Sequence, residues 1–291
     1  MTGTKQLETL MKYVFMLAAL ASILAVLLIC VFLFAGGIPA MAEIGLFDFL
    51  LGRQWTPSNS PPSFGILPMV MGSIYVTLGA VITGVPIGVL TAIFMAHFCP
   101  AFLYNILKPA TQLLAGIPSV VYGFFGMVVL VPLVRDVLGP VFGGNGSSIF
   151  TASILLGIMI LPTIIGVSEA AIRAVPSSYY EGAVALGASH ERSVFFAVVP
   201  AAKSGILTSV ILGIGRAIGE TMAVIMVAGN QARMPTGLFR GVRTLTANIV
   251  MEMGYAADLH RAALIATGVI LFCFILIINL LFTILKRRGG R

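Results

Sequence analysis

Charged side chains are scarce in this chain. Of its 291 residues only 9% are Asp, Glu, Lys or Arg, against 59% hydrophobic, and the mean hydropathy is +1.07. An ordinary soluble domain carries about 25% charge, so a soluble globular protein is excluded and an integral membrane protein is expected. The three cysteines, Cys30, Cys99 and Cys273, lie far apart in or beside apolar stretches. Neither a disulfide framework nor a metal-ligand spacing can be drawn through them. His97, His190 and His260 are isolated from one another, which argues against a proton relay, and no His, Asp and Glu cluster suggests a metal. Paired carboxylates and a nucleophile elbow are missing too, which argues against an enzyme. The chain has no G-x-x-x-x-G-K-[ST] loop, so it cannot bind ATP in that way itself. The net charge of +7 is no nucleic-acid footprint, because the basic residues are scattered among apolar spans. A positive-inside bias accounts for them better.

What is present is a succession of long apolar runs. The first, 13–35, follows Lys5 and Lys12. It exceeds the 7–15 residues or so of a signal-peptide core and is read as an uncleaved transmembrane helix, although Ala40-Met41-Ala42 looks like a cleavage site. A polar, proline-bearing loop with Trp55 fills 43–63. The second run, 66–98, would be about 50 Å long if wholly helical, more than the ~30 Å hydrocarbon core requires. It is expected to tilt, to kink at Pro86, or to lie partly in the interface. The third span is expected over 110–134, a glycine-rich loop over 135–148, and the fourth span over 149–167, interrupted at Pro162. An amphiphilic stretch, 168–203, leads to a fifth span at 206–228, a mixed polar loop at 230–261 and a sixth span at 262–285.

Six spans place both termini on one side. With the termini inside, the inner segments hold Lys5, Lys12, Lys108, Arg173, Arg192, Lys203, Lys286, Arg287, Arg288 and Arg291. The outer ones hold Arg53, Arg135, Arg233, Arg240, Arg243 and Arg261. The excess favours cytoplasmic termini. Arg233, Arg240 and Arg243 crowd into one outer loop, where solvated charge is the expected reading over docking of a partner.

The fifth run contains GIGRAIGETMAV, residues 213–224. Arg216 and Glu220 thus sit inside a membrane helix, one turn apart. An arginine at a helix centre costs about 2.5–3.5 kcal/mol on insertion scales, so it is kept where it faces protein, water or a charged ligand. Two readings stay open. The pair can neutralise itself along the helix, although Arg before Glu is the less favourable order. Alternatively the helix lines an anion path, with Arg216 offering a planar donor fork to an oxyanion. Gly215 and Gly219 form a G-x-x-x-G spacing that would let another helix come close to Arg216. Asn230 is expected to cap the outer end of this span.

The connection between the fourth and fifth spans reads as a helix–turn–helix. Ser178-Tyr179-Tyr180-Glu181 fits a capping box, Gly187 a C-terminal breaker, and Ser189 a cap for a second helix with Glu191 in its first turn. By itself this pattern fits an amphipathic connector equally well. However, Glu181, Ala183, Gly187 and Pro200 fall at the spacing of the E-A-A-x3-G-x9-I-x-L-P loop of ABC-importer permeases. Gly182, Ala197 and Val199 depart from that pattern.

Two further stretches, 116–123 (GIPSVVYG) and 215–224 (GRAIGETMAV), closely resemble phosphate-import permeases of the PstC type, and 259–264 (LHRAAL) adds a third point of similarity. The resemblance spans roughly 47–285. It implies an all-α, MetI-like bundle of six transmembrane helices in a prokaryotic cell membrane. The implied division is an N-terminal helix and extracytoplasmic loop over 1–65, a permease domain over 66–286 with its cytoplasmic coupling loop at 173–203, and a basic tail at 287–291. It also implies partners: a second permease subunit of PstA type, two copies of a cytoplasmic ATPase that binds the ATP, and an extracytoplasmic phosphate-binding protein. No cofactor is expected in this chain. The substrate path is assigned to Arg216, Glu220, Thr221, Ser119 and Tyr122, although the hydroxyls of Ser119 and Tyr122 serve packing equally well. Docking of the ATPase is assigned to Ser178, Tyr180, Glu181, Ala183 and Gly187. Glu220 would hold Arg216 when the path is empty, or accept a hydrogen bond from a protonated phosphate oxygen, a proton that sulfate lacks. A stand-alone secondary anion transporter, and a permease for another oxyanion or a phosphonate, remain the alternatives.

Overall fold

The structure, a computed structural model, describes residues 2–289, without the side chains of residues 2–6, 282 and 285–289. Residues 290 and 291 of the basic tail, and the side chains of Lys5 and of 286–289, therefore lie outside the described residues. Helix α1 (Thr2–Ile44) and the short α2 (Leu46–Leu51) are followed by a two-stranded ribbon, β1 (Trp55–Thr56) against β2 (Ser63–Phe64). Next come α3 (Leu67–Ile93), prolonged by a π-helical turn over Phe94–Phe98, and α4 (Ala101–Gly116). The third span comprises α5 (Ser119–Phe125), a π-helical turn over Gly126–Leu130 and α6 (Val131–Phe142). Helix α7 (Ile149–Arg173) leads into a connection with α8 (Ser177–Ala185), α9 (His190–Ser193), a π-helical turn over Val194–Val198 and α10 (Val199–Ala201). The chain ends in α11 (Lys203–Gly219), α12 (Met222–Val227), α13 (Leu245–Glu252) and α14 (Asp258–Gly289).

Among the described residues, five helices are long and apolar enough to cross a membrane, and a sixth span results when the pair His190–Ala201 and Lys203–Gly219, bent by 68°, is counted as one. The bundle is organised on α7, whose spanning part is far more buried than the other spans. Helix α3 lies against it because glycines remove side chains at the contact. A Cβ at Gly84 would stand 2.8 Å from the Gly157 carbonyl oxygen, and Gly79 faces the Ser153 hydroxyl just as closely. Close approach of backbones is the usual way membrane helices gain van der Waals contact, since burial from lipid adds no hydrophobic drive. A second apolar cluster, around Phe49, Trp55, Ile66 and Leu264, ties α1 and α14 to the ribbon.

Several expected boundaries move. The third span does not begin at residue 110. Ile117 and Pro118 are extended (ψ 126° and 143°), which separates the amphipathic α4 from the span proper at 119–142. Pro118 lacks an amide donor and disfavours helical geometry at Ile117. Pro86 and Pro162 lie inside α3 and α7 without ending them. The fourth span continues past 167 to Arg173, because Ser168 and Glu169 are buried and partnered. The capping box does not form. Helix α8 starts two residues early, with Pro176 in the N-cap position, and no side chain caps it. Ser178 and Glu181 are consequently already inside the helix, where a reciprocal cap is geometrically closed to them.

Candidate functional site

The expected continuous helix over 206–228 is broken inside the charged motif. Helix α11 ends at Gly219, Glu220 is extended (φ −70°, ψ 129°), and α12 begins at Met222. Glu220 itself supplies the reason. Its Oε1 accepts the Ala223 amide at 3.2 Å, so the carboxylate serves the first turn of the next helix, a local side-chain bond that competes with helix propagation. The Glu220 carbonyl, freed by the break, accepts the Thr246 hydroxyl at 3.1 Å. Thr221 turns its own hydroxyl to the Gly219 carbonyl at 3.3 Å.

The self-neutralising ion pair between Arg216 and Glu220 therefore does not exist. Arg216 occupies the last turn of α11, where a cation complements the helix dipole. Its one hydrogen bond among the described residues is Nη1 to Thr163 Oγ1 on α7, at 3.5 Å. No carboxylate pairs with it there. Gly215 and Gly219, beside it, have open space where a Cβ would be, and so have Gly116 and Gly166. The G-x-x-x-G spacing thus leaves an unfilled face; no helix of this chain approaches it closely.

Helix α5, which carries Ser119 and Tyr122, packs on α12. Gly123 lets α5 meet α12 closely: a Cβ there would stand 2.7 Å from Met226 Sδ and 2.9 Å from Ala223 Cα. Tyr122 is buried within electrostatic reach of Arg216, yet its hydroxyl donates to the Leu114 carbonyl at 2.9 Å and ties α5 to the end of α4. Ser119, half-buried, opens α5. Arg216, Glu220 and Thr221 thus lie together at the break between α11 and α12, with Tyr122 on the helix packed against α12.

In the connection between α7 and α11, Gly187 takes φ +85° and ends α8 with paired bonds, Gly187 N–H to Val184 O and Ala188 N–H to Ala183 O, at 2.8 and 3.1 Å. This is the Schellman arrangement expected of a glycine breaker. The Ser189 hydroxyl accepts from the Arg192 amide and caps α9, also as expected. Ser178 and Glu181 are exposed, and Ala183 is half-buried. Tyr180 faces inward instead, its hydroxyl 2.9 Å from His190 Nδ1, and holds α8 to α9. Leu186, 91% exposed, and Phe196, 78% exposed, project outward from the loop.

The loop arginines divide. Arg233 and Arg240 are exposed. Arg243 is not solvated: its side chain is 14% exposed, pairs with Glu252, and donates to Asn248 Oδ1 at 3.0 Å and to the Asn230 carbonyl at 3.1 Å. Glu252 also accepts from Trp55 Nε1 at 2.7 Å and lies 2.9 Å from His260 Nε2. Asn230 caps α12 as expected, its Nδ2 donating to the Ile225 carbonyl at 2.7 Å.

Sequence reasoning missed this outer knot, and also a second one at the opposite end of the bundle. Glu169 on α7 receives Tyr104 and Lys108 from α4 and Arg173 from its own helix. The signal available was Glu169 four residues ahead of Arg173, the favourable order for a helical pair. Ending the span at 167 concealed it.

Three comparisons bear on these features. The family described as binding-protein-dependent transport system inner membrane component matches residues 84–290. A probable ABC transporter permease protein, YqgH, of Bacillus subtilis is 38% identical over 90% of this chain and 87% of its own length. The phosphate transport system permease protein PstC of Mesorhizobium japonicum is 35% identical over 84% of this chain and 79% of its own. That of Haemophilus influenzae is 32% identical over 91% and 89%. Among solved structures, an inward-facing MetNI methionine ABC transporter chain superposes with a TM-score of 0.62 at 18% identity, covering 78% of this chain and 96% of its own. A bacterial alginate ABC transporter chain does so with the same TM-score at 16% identity, covering 93% and 94%.

Proposed function

Since this chain belongs to the family of binding-protein-dependent transport system inner membrane components, and is thus a multi-pass membrane permease subunit of an ABC importer rather than an enzyme, we propose that its cargo is inorganic phosphate. The observation that carries the cargo class is the uncompensated Arg216. A guanidinium inside an apolar span, with no carboxylate partner among the described residues and a single 3.5 Å contact to Thr163, is costly unless an anion visits it. Its planar fork suits a tetrahedral oxyanion, which can take two parallel N–H···O bonds. Phosphate, among oxyanions, is supported by relatives named as phosphate permeases at 32–35% identity. The partner permease on this reading is of the PstA type.

The mechanism follows from where the chain's own groups lie. Glu220 Oε1 is occupied by the Ala223 amide, and its other oxygen takes no hydrogen bond among the described residues. That second oxygen accepts a hydrogen bond from the protonated oxygen of a monohydrogen phosphate held on Arg216, an interaction that sulfate cannot offer. Binding at such a site must be weak enough for release, and one guanidinium with one acceptor meets that condition. ATP is bound by the cytoplasmic ATPase, which docks on α8 and α9 and moves the path between outward and inward access.

Reconstitution with the partner permease, the ATPase and the binding protein tests this. The expected result is ATP-dependent uptake of phosphate in preference to sulfate, molybdate and phosphonates. Uptake of a different oxyanion in preference to phosphate would overturn the cargo, and uptake by this chain alone without nucleotide would overturn the driven mechanism.

A further inference from the structure

The buried carboxylate Glu169 takes no part in the path, and its surroundings do not fit a role in stability alone. Its side chain is 1% exposed. Oε2 receives Lys108 Nζ at 2.6 Å; Oε1 receives the Tyr104 hydroxyl at 2.8 Å and Arg173 Nε at 2.9 Å. Arg173 in turn donates from Nη2 to the Met95 carbonyl at 2.8 Å, in the π-helical turn that ends α3, and lies 4.7 Å above the Tyr104 ring. One carboxylate therefore joins α3, α4 and α7 where they meet. Replacing a buried ion pair with well-packed apolar groups is often neutral or stabilising by about 1–4 kcal/mol. Here only the carboxylate is buried, while Lys108 and Arg173 stay 34% and 45% exposed, so an apolar residue at 169 would leave no buried cation behind.

What the knot connects gives a reason for the carboxylate. Arg173 is the last residue of α7, and the docking helix α8 starts four residues later, after Ala174–Pro176. Helix α4, on the other side, ends at the Ile117–Pro118 elbow, and its Leu114 carbonyl holds the Tyr122 hydroxyl. Tyr122 belongs to α5, which packs on α12 beside Glu220. A continuous series of contacts thus runs from the docking loop through Arg173, Glu169, Tyr104 and Lys108 to α4, Tyr122 and the wall of the path.

The geometry points to Glu169 as a positioning residue through which motion of the docking loop is transmitted to α4 and the Tyr122–Glu220 wall. This rests on the importer reading above, which supplies a driven docking loop. Without the Tyr104 and Lys108 contacts, α7 and the docking loop would move without carrying α4.

The test uses the full transporter in proteoliposomes, with ATP hydrolysis and anion uptake measured on the same preparation. Y104F/K108M removes the donors from α4 and leaves Glu169 paired with Arg173. The expected result is a fall of about tenfold in anion imported per ATP, with binding-protein-stimulated hydrolysis kept within about twofold. Glu169→Gln should behave likewise and Glu169→Asp should restore most of the ratio. Hydrolysis and uptake that fall in proportion, the outcome for a clamp that only maintains the fold, would overturn the proposal, as would an unchanged ratio. Should the double variant not assemble, Tyr104→Phe alone is read by the same ratio, and no change there counts against the proposal. The wild-type arm isolates the cargo: hydrolysis and import driven by another anion would reject phosphate while leaving the ratio measurable on that anion.

Discussion

Arg216 and Glu220, four residues apart in sequence, are separated by a helix break, and the carboxylate is bonded to the Ala223 amide at 3.2 Å instead of to the guanidinium. A pair that would neutralise itself in an unbroken helix is in this way kept as two separately available groups. The consequences can be measured.

Arg216→Ala should abolish ATP-dependent uptake while leaving assembly with the partner subunits intact, because the side chain makes no ion pair that the fold relies on. Arg216→Lys keeps the charge and loses the planar fork. Its uptake should fall between the two, by about tenfold if one of two parallel hydrogen bonds, worth about 1.5 kcal/mol, is lost. Equal rates for lysine and arginine would remove the fork from the mechanism.

Glu220→Gln retains an oxygen that can accept the Ala223 amide, so α12 should remain capped and melting should be unchanged. The variant loses the strong acceptor for a protonated phosphate oxygen. Competition by sulfate against labelled phosphate should therefore increase. Glu220→Ala removes the cap as well and should cost about 0.5–2 kcal/mol in addition. Unchanged transport and selectivity in the glutamine variant would discard the acceptor role.

Gly187→Ala places a Cβ in a left-handed position at φ +85° with no neighbour within 4 Å. Any effect must come from backbone strain, about 1–2 kcal/mol, and none from a clash. The turn between α8 and α9 should loosen, so that less ATPase copurifies with the membrane subunits while the transmembrane bundle melts normally.

Glu252→Ala should be the most destabilising of these changes. It leaves Arg243, only 14% exposed, without its carboxylate, and Trp55 Nε1 without its acceptor. Breaking a buried pair by removing one partner costs about 3–5 kcal/mol. A fall in melting temperature together with greater protease sensitivity in the 43–63 and 228–257 loops would show it. Arg233→Ala and Arg240→Ala, both exposed, should leave melting where it is.

How much of this was legible beforehand depended on the range of the physics involved. The apolar runs are visible from composition alone, since a segment that crosses lipid must be apolar along its whole length. Arg216 stands out against that background for the same reason. Gly187 and Ser189 were readable because a left-handed turn and an N-cap are decided within a few residues. The local rules failed where a neighbouring residue competed. Pro176 took the cap position expected of Ser178, and Glu220 chose the Ala223 amide over Arg216.

The sequence by itself thus determined a membrane bundle with a cation in one span and a turn-bounded helical connection, because hydropathy and backbone sterics are properties of short stretches. Tertiary structure alone decided the rest. Glu169 could be held inside a span because Lys108, 61 residues away, reaches it. Arg243 became a buried ion because Glu252 is held in place by Trp55, 197 residues from it. A charge within an apolar chain is placed by its partner, and partners that far apart are brought together only by the fold.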